Sequence, residues 1–273
     1  NTEWVSKKIS YCNINSPSGI RLTTKFKDDK CLILNRQVFD YDLSVMAQNN
    51  GCDIFTNSIA KDLIIKNDYV KGVVVEKGSK NYRIDSKLVI AADGIESRLG
   101  RKAGIKTQVK MKDMASGLEY LVEDIDIDSN ALDMYVGSEI APGGYLWIFP
   151  KSVNSANIGL AITGKYSGNK SAKKYLDEFI DRRFPNSNIK KKITGGIPVT
   201  RPIKNPIRNG FVLVGDAARY INPLTGGGIA PAMKSGLYIG KIAPSIIDNP
   251  SEKKLASYIK LVEDDFVKKH KVL

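Results

Sequence analysis

The sequence predicts a mixed α/β protein in which an α/β domain is interrupted by an antiparallel-sheet domain. Two apolar runs, at residues 88–92 and 210–216, have the pattern of strands buried on both faces, as in a parallel sheet. Between them, residues 109–165 contain strand candidates in succession, separated by turns, which indicates antiparallel pairing. At 273 residues the chain is long enough for one large domain or two ordinary ones.

The first hundred residues predict strands and one helix. Residues 1–26 alternate loosely around a Ser-Pro-Ser-Gly turn and form a predicted hairpin. A helix is predicted from Phe39, with an apolar stripe at i, i+4, i+7 and i+8, and Gly51 closes it as a C-terminal cap. The stripe consists of Phe39, Leu43, Met46 and Ala47. Further strands are predicted at residues 31–34, 59–65, 70–76, 82–84 and 88–92, with a turn at 66–68.

The rest of the chain predicts a run of strands followed by three helices. The strand candidates are residues 117–122, 132–136, 144–149 and 156–162. A helix from about residue 171 to 184 stops at Pro185, and the strand at 210–216 leads into a glycine-rich turn and a second helix. The last predicted helix, residues 251–270, is amphipathic. The residues predicted to face inward on the first and last of these helices are Leu176, Phe179, Ile180, Leu255, Ile259, Val262 and Phe266.

Composition excludes several classes of protein. Hydrophobic residues make up 42% and charged residues 26%, which excludes a disordered tail, a collagen-like fibre and a disulfide-stapled miniprotein. No run approaches the roughly 20 apolar residues of a membrane-spanning helix, and there is no secretory signal pattern. Three cysteines without a close pair fit a reducing compartment, and His270 as the only histidine excludes His-based metal sites and Ser-His-Asp catalysis. We therefore expect a cytoplasmic protein without a metal, in which any enzyme uses a cofactor.

The chain is strongly basic, because 42 Lys and Arg residues outnumber 29 Asp and Glu residues by 13. Such an excess attracts nucleic acid, a membrane surface or phosphorylated substrates. Zinc-finger spacing, a basic region with heptads and RNP-type aromatic sequences are all missing, so no nucleic-acid partner is predicted. The remaining interpretations are a solvated, lysine-rich surface and an anionic lipid surface.

The segment with the most specific chemistry lies at residues 211–230. A buried strand carries Asp216 to its carboxyl end, where a carboxylate can accept hydrogen bonds from a ligand's hydroxyl groups. Three glycines at 226–228 let the backbone approach a ligand closely. The helix that starts near Gly228 points its free N–H groups at an anionic or electron-rich group. The alternative is an aspartate that only caps the helix, but a cap does not need three glycines.

This segment resembles the second FAD motif of the p-hydroxybenzoate-hydroxylase-type flavoproteins, in which the aspartate binds the ribityl chain and the helix N-terminus faces the flavin. Residues 32–40 (Leu-Ile-Leu-Asn-Arg-Gln-Val-Phe-Asp) look like that superfamily's strand-Arg-helix element, whose arginine contacts the cofactor. Residues 89–97 (Val-Ile-Ala-Ala-Asp-Gly-Ile-Glu-Ser) look like its Ala-Asp-Gly motif. The resemblance implies an FAD-binding α/β domain interrupted by an antiparallel-sheet substrate domain.

A fourth motif resembles one family within this superfamily. Residues 145–150 read Tyr-x-Trp-x-Phe-Pro, which is similar to the signature of geranylgeranyl reductases, especially the archaeal enzymes that saturate the isoprenoid chains of membrane lipids. On a strand, Tyr145, Trp147 and Phe149 point to one face and form an apolar wall that could hold a prenyl chain. Periodicity alone favours a sheet core packed against a helix, and the resemblance reverses that preference.

The resemblance implies FAD-dependent reduction of the C=C bonds of geranylgeranyl chains in membrane phospholipid precursors, with hydride from the reduced flavin. Asp216 would hold the ribityl chain, and Ala60 would meet the cofactor through its backbone. Arg36 and the helix start at Gly228 and Ile229 would stabilise the anionic reduced flavin.

The proton donor, the electron donor and the partners are less defined. Tyr145 is a candidate proton donor, although a phenol is weakly acidic unless perturbed. The implied partners are a prenylated glycerophospholipid, an anionic membrane surface, and ferredoxin, reduced deazaflavin or NAD(P)H as electron donor. We therefore expect a protein that is cytoplasmic and peripheral to the membrane. The resemblance also implies that the chain lacks the superfamily's N-terminal Gly-x-Gly-x-x-Gly unit and is cut soon after His270.

On this interpretation the domains follow the chain in five segments. They are a hairpin of the substrate domain (1–27), part of the FAD-binding domain (28–108), the antiparallel-sheet substrate domain (109–200), the second part of the FAD-binding domain (201–248) and a C-terminal helix (249–273). Two alternative functions stay open. A flavin monooxygenase of the same fold would oxidise NADPH rapidly when given a phenol. A non-catalytic prenyl-lipid-binding protein at the membrane would show no flavin spectrum.

Overall fold

The structure is a computed structural model that describes residues 2–27, 31–166, 168, 170–222 and 225–267. The strands are β1 (Val5–Ile9), β2 (Tyr11–Asn15), β3 (Arg21–Lys25), β4 (Cys31–Leu34), β5 (Ile59–Lys66), β6 (Tyr69–Lys77), β7 (Lys80–Asp85), β8 (Val89–Ala91), β9 (Met114–Glu123), β10 (Ala131–Val136), β11 (Tyr145–Pro150), β12 (Ser155–Thr163), β13 (Asn188–Pro198), β14 (Ile207–Arg208) and β15 (Phe211–Leu213). The α-helices are α1 (Arg36–Asn49), α2 (Arg98–Lys102), α3 (Ala172–Arg183), α4 (Ile229–Ile246) and α5 (Glu252–Val262).

The chain divides into two units. The first unit contains Asn1–Ile54 and Ala115–Gly196, and the second contains Phe55–Met114 and Ile197–Leu273. This division differs from the predicted segment 28–108 at residues 31–54, which belong to the first unit. There β4 pairs with β1, and the Phe39 ring of α1 packs edge-on against Trp4 at 5.2 Å. Residues 109–114 and 197–200, predicted with the antiparallel sheet, belong to the second unit.

The first unit is built on a seven-stranded sheet in the order β13-β9-β12-β11-β10-β2-β3. The pairs β9–β12, β12–β11, β11–β10 and β2–β3 are antiparallel, which confirms the predicted strand run and the predicted hairpin. The pair β10–β2, through which the hairpin joins the sheet, is parallel. The N-terminal hairpin of β2 and β3 joins the edge of the sheet alongside β10, and no short turn connects these two neighbouring strands.

One face of this sheet carries the core of the first unit. Buried side chains from β9, β11 and β12 pack with the inner face of α3, as its periodicity predicts. They include Tyr120, Leu146, Ile158, Leu160, Ile162, Leu176, Phe179 and Ile180. Ser171 caps α3 by accepting a hydrogen bond from the Lys174 amide at 3.2 Å, which satisfies one of the free N–H groups of the first turn.

The second unit contains two three-stranded sheets, β14-β15-β8 and β5-β6-β7, and helices α2, α4 and α5. Strands β15 and β8 are parallel, and all three residues of β15 are buried, as predicted. The main core brings this sheet together with α4 and α5 through side chains such as Leu213, Ile239, Leu255 and Tyr258. The β5–β6 hairpin turns at Asn67 and Asp68, which both have positive φ, as the predicted turn at 66–68 requires.

Several local predictions need correction. In α1 only Phe39 is buried, and Met46 is half-exposed. Within the predicted stripe, Phe39 packs against another described side chain, the Trp4 ring. In β8, Ile90 is half-exposed, so this strand is not buried on both faces in the described part of the chain. The C-terminal helix is regular only to Val262 and continues as a π-helical turn, Glu263–Val267. The remainder of its predicted span, together with the side chain of Phe266, lies outside the described residues.

None of the helices in the described part of the chain is long and apolar enough to cross a membrane.

Candidate functional site

The aromatic motif lies on β11, in the middle of the seven-stranded sheet. Tyr145, Trp147 and Phe149 are partly buried and alternate with fully packed neighbours along the strand. The rings of Tyr145 and Trp147 meet edge to face with centroids 5.7 Å apart, and those of Trp147 and Phe149 stack at 5.8 Å. The three side chains therefore form one continuous aromatic row.

The core lies on the opposite face of the same strand. Leu146 and Ile148 point away from the aromatic row and belong to the cluster that packs on α3. The aromatic row therefore does not form the core that packs on α3, because consecutive residues of a strand point to opposite faces. The row forms a second apolar surface of the sheet, and its three side chains are partly buried by the described residues.

Trp147 is held in place by residues of two neighbouring strands. Across the sheet it is in register with Gly159 of β12, which is in turn in register with Glu119 of β9. A Cβ on Gly159 would lie 2.5 Å from the Trp147 ring, so the indole can lie over β12 only because residue 159 has no side chain. The indole Nε1–H then donates a 2.9 Å hydrogen bond to Glu119 Oε2.

Glu119 is a carboxyl group within this mainly apolar surface. Its second oxygen, Oε1, accepts a 2.9 Å hydrogen bond from Asn157 Nδ2 of β12. Burial raises the pKa of Glu119, although the hydrogen bond from Trp147 and the charge of Lys151 act in the opposite direction. Lys151 itself donates to the Leu34 carbonyl at 2.8 Å, and burial lowers its pKa.

Sequence reasoning did not find Glu119, Asn157 or Gly159. The available signal was the alternation of β9, where Gly117, Glu119 and Leu121 share a face opposite the buried Leu118 and Tyr120. Tyr145, the candidate proton donor from the sequence, has its pKa raised by burial, which makes its phenol an even weaker acid.

The second group of candidate residues lies in the second unit, where β15 leads into α4. Asp216 sits in a short 3-10 helix directly after β15, and Gly228 is the N-cap of α4, which starts at Ile229 as predicted. The two residues meet, because a Cβ on Gly228 would lie 3.1 Å from Asp216 Oδ1. Burial raises the pKa of Asp216.

The turn between these two residues is held by its own backbone. The Asn222 amide donates to the Gly227 carbonyl at 3.0 Å, and the Gly226 amide donates to the Asn222 carbonyl at 2.9 Å. Gly226 has φ +67°, a conformation that favours glycine. At the other end, the Gly215 amide donates to Ser235 Oγ of α4 at 2.9 Å, which ties the helix to the strand.

Arg36 and Ala60 lie apart from these groups along the chain. Arg36 is the first residue of α1, and its guanidinium forms an i,i+4 ion pair with Asp40 at 2.9 Å while remaining more than half exposed. Ala60 is exposed on β5, which lies at the edge of its sheet, next to a register shift between residues 60 and 62. Arg36 belongs to the first unit and Ala60 to the second.

Comparison with known proteins identifies relatives along most of the chain. The family model for the geranylgeranyl reductase catalytic domain matches residues 113–197, which include β9, β11 and β12. A digeranylgeranylglycerophospholipid reductase of Methanococcoides burtonii is 41% identical over 94% of this chain and 64% of its own length. A protein of the same name from Methanocella arvoryzae is 38% identical over 94% of this chain and 67% of its own length. The chain thus spans about two thirds of the length of these relatives.

Solved structures give the same fold. A geranylgeranyl bacteriochlorophyll reductase-like protein from Thermoplasma acidophilum superimposes with a TM-score of 0.93 at 33% identity, over 99% of this chain and 70% of that one. A flavin-dependent brominase superimposes with a TM-score of 0.77 at 17% identity, over 93% of this chain and 67% of that one, which shows the fold alone.

Fold and motifs together define a chain with the p-hydroxybenzoate-hydroxylase-like architecture, as the sequence predicts. Within that class, the chain belongs to the geranylgeranyl reductase family.

Proposed function

We propose that this protein reduces the C=C bonds of geranylgeranyl chains in a membrane glycerophospholipid precursor, with a flavin as the source of hydride. The observation that carries the proposal is the aromatic row of β11, a partly buried apolar surface on the side of the sheet opposite the core that packs on α3. Relatives named digeranylgeranylglycerophospholipid reductases, at about 40% identity, support this substrate class.

The cofactor in this proposal is FAD, and the residues of the second unit fit it. A Cβ at residue 228 would lie 3.1 Å from Asp216 Oδ1, so the glycine leaves this carboxyl group uncrowded beside a helix start that no described side chain caps. Asp216 would accept hydrogen bonds from ribityl hydroxyls, and the amides at Gly228 and Ile229 would face the electron-rich ring. Arg36 and the Ala60 backbone are further proposed contacts. When bound, reduced FAD supplies hydride, which no side chain can do.

The proposed task of the first unit is to hold the prenyl chain and exclude water. A prenyl chain is apolar and flat at each double bond, so Tyr145, Trp147 and Phe149 would contact it along one line. Burying the chain against these rings contributes about 25 cal/mol per Å² of apolar surface removed from water. Dry surroundings also strengthen the electrostatic effect of any polar group nearby.

The further parts of the proposal concern partners and location. The electron donor is a ferredoxin, a reduced deazaflavin or NAD(P)H, and the protein acts in the cytoplasm at an anionic membrane surface. The net charge of +13 supports attraction to such a surface.

The test uses the intact protein loaded with FAD and reduced chemically, which makes the outcome independent of the natural electron donor. A geranylgeranyl glycerophospholipid is added, and mass spectrometry follows the gain of two hydrogen atoms for each double bond. We expect stepwise saturation. Phenol-stimulated NADPH oxidation without saturation would identify a monooxygenase instead, and a preparation without a flavin spectrum would identify a lipid-binding protein.

A further inference from the structure

We propose that Glu119 is the acid that gives its proton to the prenyl double bond, and that Trp147 and Asn157 hold its carboxyl group in position for that transfer. This inference rests on the proposed function, since it assigns one of the two hydrogen atoms that the reduction adds. The observation behind it is the placement of the Glu119 carboxyl group beside the aromatic row.

The sheet register places Glu119 on the same face as the aromatic row. Glu119, Gly159 and Trp147 are directly opposite one another on β9, β12 and β11. Because residue 159 has no side chain, Glu119 and the indole meet across β12, and the carboxyl group lies at the end of the Trp147 ring. A prenyl chain on the aromatic row would therefore come within reach of this carboxyl group.

The hydrogen bonds fix the carboxyl group without using up its oxygens. Trp147 donates to Oε2 and Asn157 donates to Oε1, both at 2.9 Å, so the plane of the carboxyl group is set from two strands. Each oxygen keeps a second lone pair on which a proton can reside. Both partners are donors, so neither can remove that proton.

The surroundings of Glu119 keep its carboxyl group protonated to a higher pH than the carboxyl group of an exposed glutamate. Burial raises the pKa of Glu119, and Lys151 is the charged group that opposes this shift. By contrast Glu123, four residues further along β9 and on the same face, has a side chain that is 42% exposed and pairs with Lys190 at 3.6 Å. The two glutamates of one strand thus differ in burial and in their partners, which makes Glu123 a matched control.

The chemistry balances with one proton and one hydride. The O–H bond of Glu119 breaks as the π electrons of the trisubstituted alkene form a C–H bond at the less substituted carbon. The positive charge that develops at the tertiary carbon accepts the hydride that reduced flavin supplies, and the Glu119 carboxylate takes a new proton from water. The aromatic faces of Trp147, Tyr145 and Phe149 are suited to stabilise such a charge, as in cation–π contacts.

The first experiment measures the carboxyl group itself, without turnover. In the FAD-loaded intact protein, infrared difference spectra between pH 4 and pH 8 follow the C=O band of protonated carboxyl groups. We expect bands that persist to higher pH than the bulk of the carboxyl groups, since burial raises the pKa of both Glu119 and Asp216, and we expect one of these bands to be lost in Glu119→Gln and retained in Glu123→Gln. If Glu119→Gln leaves every late-titrating band in place, or if wild type has none, the proposal is wrong.

The second experiment measures the reaction in a single turnover of chemically reduced protein. We expect Glu119→Gln to slow alkene saturation on the order of 10²–10⁴-fold, and Glu119→Asp, which keeps an acid on a shorter stem, to restore part of the rate. A purely structural role predicts the reverse order, since Gln keeps the side-chain length and one oxygen that accepts a hydrogen bond, whereas Asp is too short to reach both donors. Wild-type speed in Glu119→Gln would overturn the proposal. Failure of wild type to saturate any double bond would instead overturn the proposed function.

Discussion

At the scale of single residues, Trp147 shows how this surface depends on a few contacts. Its indole is fixed by the missing side chain of Gly159 below it and by the hydrogen bond from its Nε1–H to Glu119. The first contact comes from β12, the next strand along the chain, and the second from β9, 28 residues away from Trp147. The aromatic motif alone therefore identifies the ring but not the way in which it is held.

We predict that Trp147→Ala impairs alkene saturation while FAD remains bound. The substitution removes the centre of the aromatic row, so a prenyl chain can drift from the reactive geometry, and such misplacement can cost about a hundred-fold in rate. Single-turnover saturation, read by mass spectrometry, is the measurement. The matched control is Trp4→Ala, which also removes an indole bonded to a carboxylate, here Asp42, but outside the seven-stranded sheet. Equal losses of saturation rate in the two variants would show that the effect comes from reduced stability of the protein.

A second residue-scale prediction concerns Asp216, which meets Gly228 at the start of α4. We expect Asp216→Ala to weaken FAD binding about ten- to a hundred-fold, because a hydrogen bond to a charged group contributes roughly 1.5–3 kcal/mol. Flavin content after purification and equilibrium titration with FAD measure this loss. Asp216→Asn keeps the shape and removes the charge, so an intermediate affinity is expected. Full flavin content in Asp216→Ala would remove Asp216 from the proposed site.

At the scale of elements, the sheet around β12 is the part that the site needs most. Strand β12 is buried along most of its length and separates Glu119 from Trp147. Its inward residues Ile158 and Leu160 fill the core, while Gly159 between them leaves space on the outer face. Strand β12 therefore contributes core packing on one face and leaves space for the Trp147 indole on the other.

We predict that Gly159→Ala displaces the indole and destabilises the protein by about 1–3 kcal/mol, the usual cost of overpacking. The added methyl group would lie 2.5 Å from the Trp147 ring and 2.7 Å from the Leu118 carbonyl, and a carbonyl cannot move without the strand. Urea unfolding gives the free energy, and tryptophan fluorescence in a Trp4→Phe background reports the indole. The control is Gly195→Ala on β13, where an added Cβ meets nothing within 4 Å. Equal stability of the two variants would contradict this account.

At the scale of the whole molecule, local patterns predict most elements, and long-range pairing accounts for what they miss. The periodicity of α3 and the alternation of β11 are local, and both are confirmed. The parallel pair β10–β2 and the placement of residues 31–54 depend on which distant strands meet. Glu119 could not be identified for the same reason, because its partners Trp147 and Asn157 are 28 and 38 residues away. Alternation along a strand indicates which of its own side chains share a face, but it does not indicate which side chains of other strands lie beside them.

The charge of the whole chain gives the last prediction, which is salt-sensitive binding to anionic lipid vesicles. With a net charge of +13, exposed lysines near an anionic surface contribute about 1 kcal/mol each, and salt screens this attraction over about 10 Å at 0.1 M. Vesicle sedimentation of the intact protein, with anionic and neutral lipids at low and high salt, measures this binding.

Two triple Lys→Gln variants remove the same charge from different places. One changes Lys66, Lys71 and Lys87, which line a pocket of about 720 Å³, and the other changes Lys190, Lys191 and Lys192 on β13. If the total charge determines the affinity for anionic vesicles, both variants bind more weakly by the same factor. If one lysine patch contacts the membrane, only the variant that lacks that patch binds more weakly. Equal binding of wild type to neutral and anionic vesicles would show that the lysines form only a solvated surface.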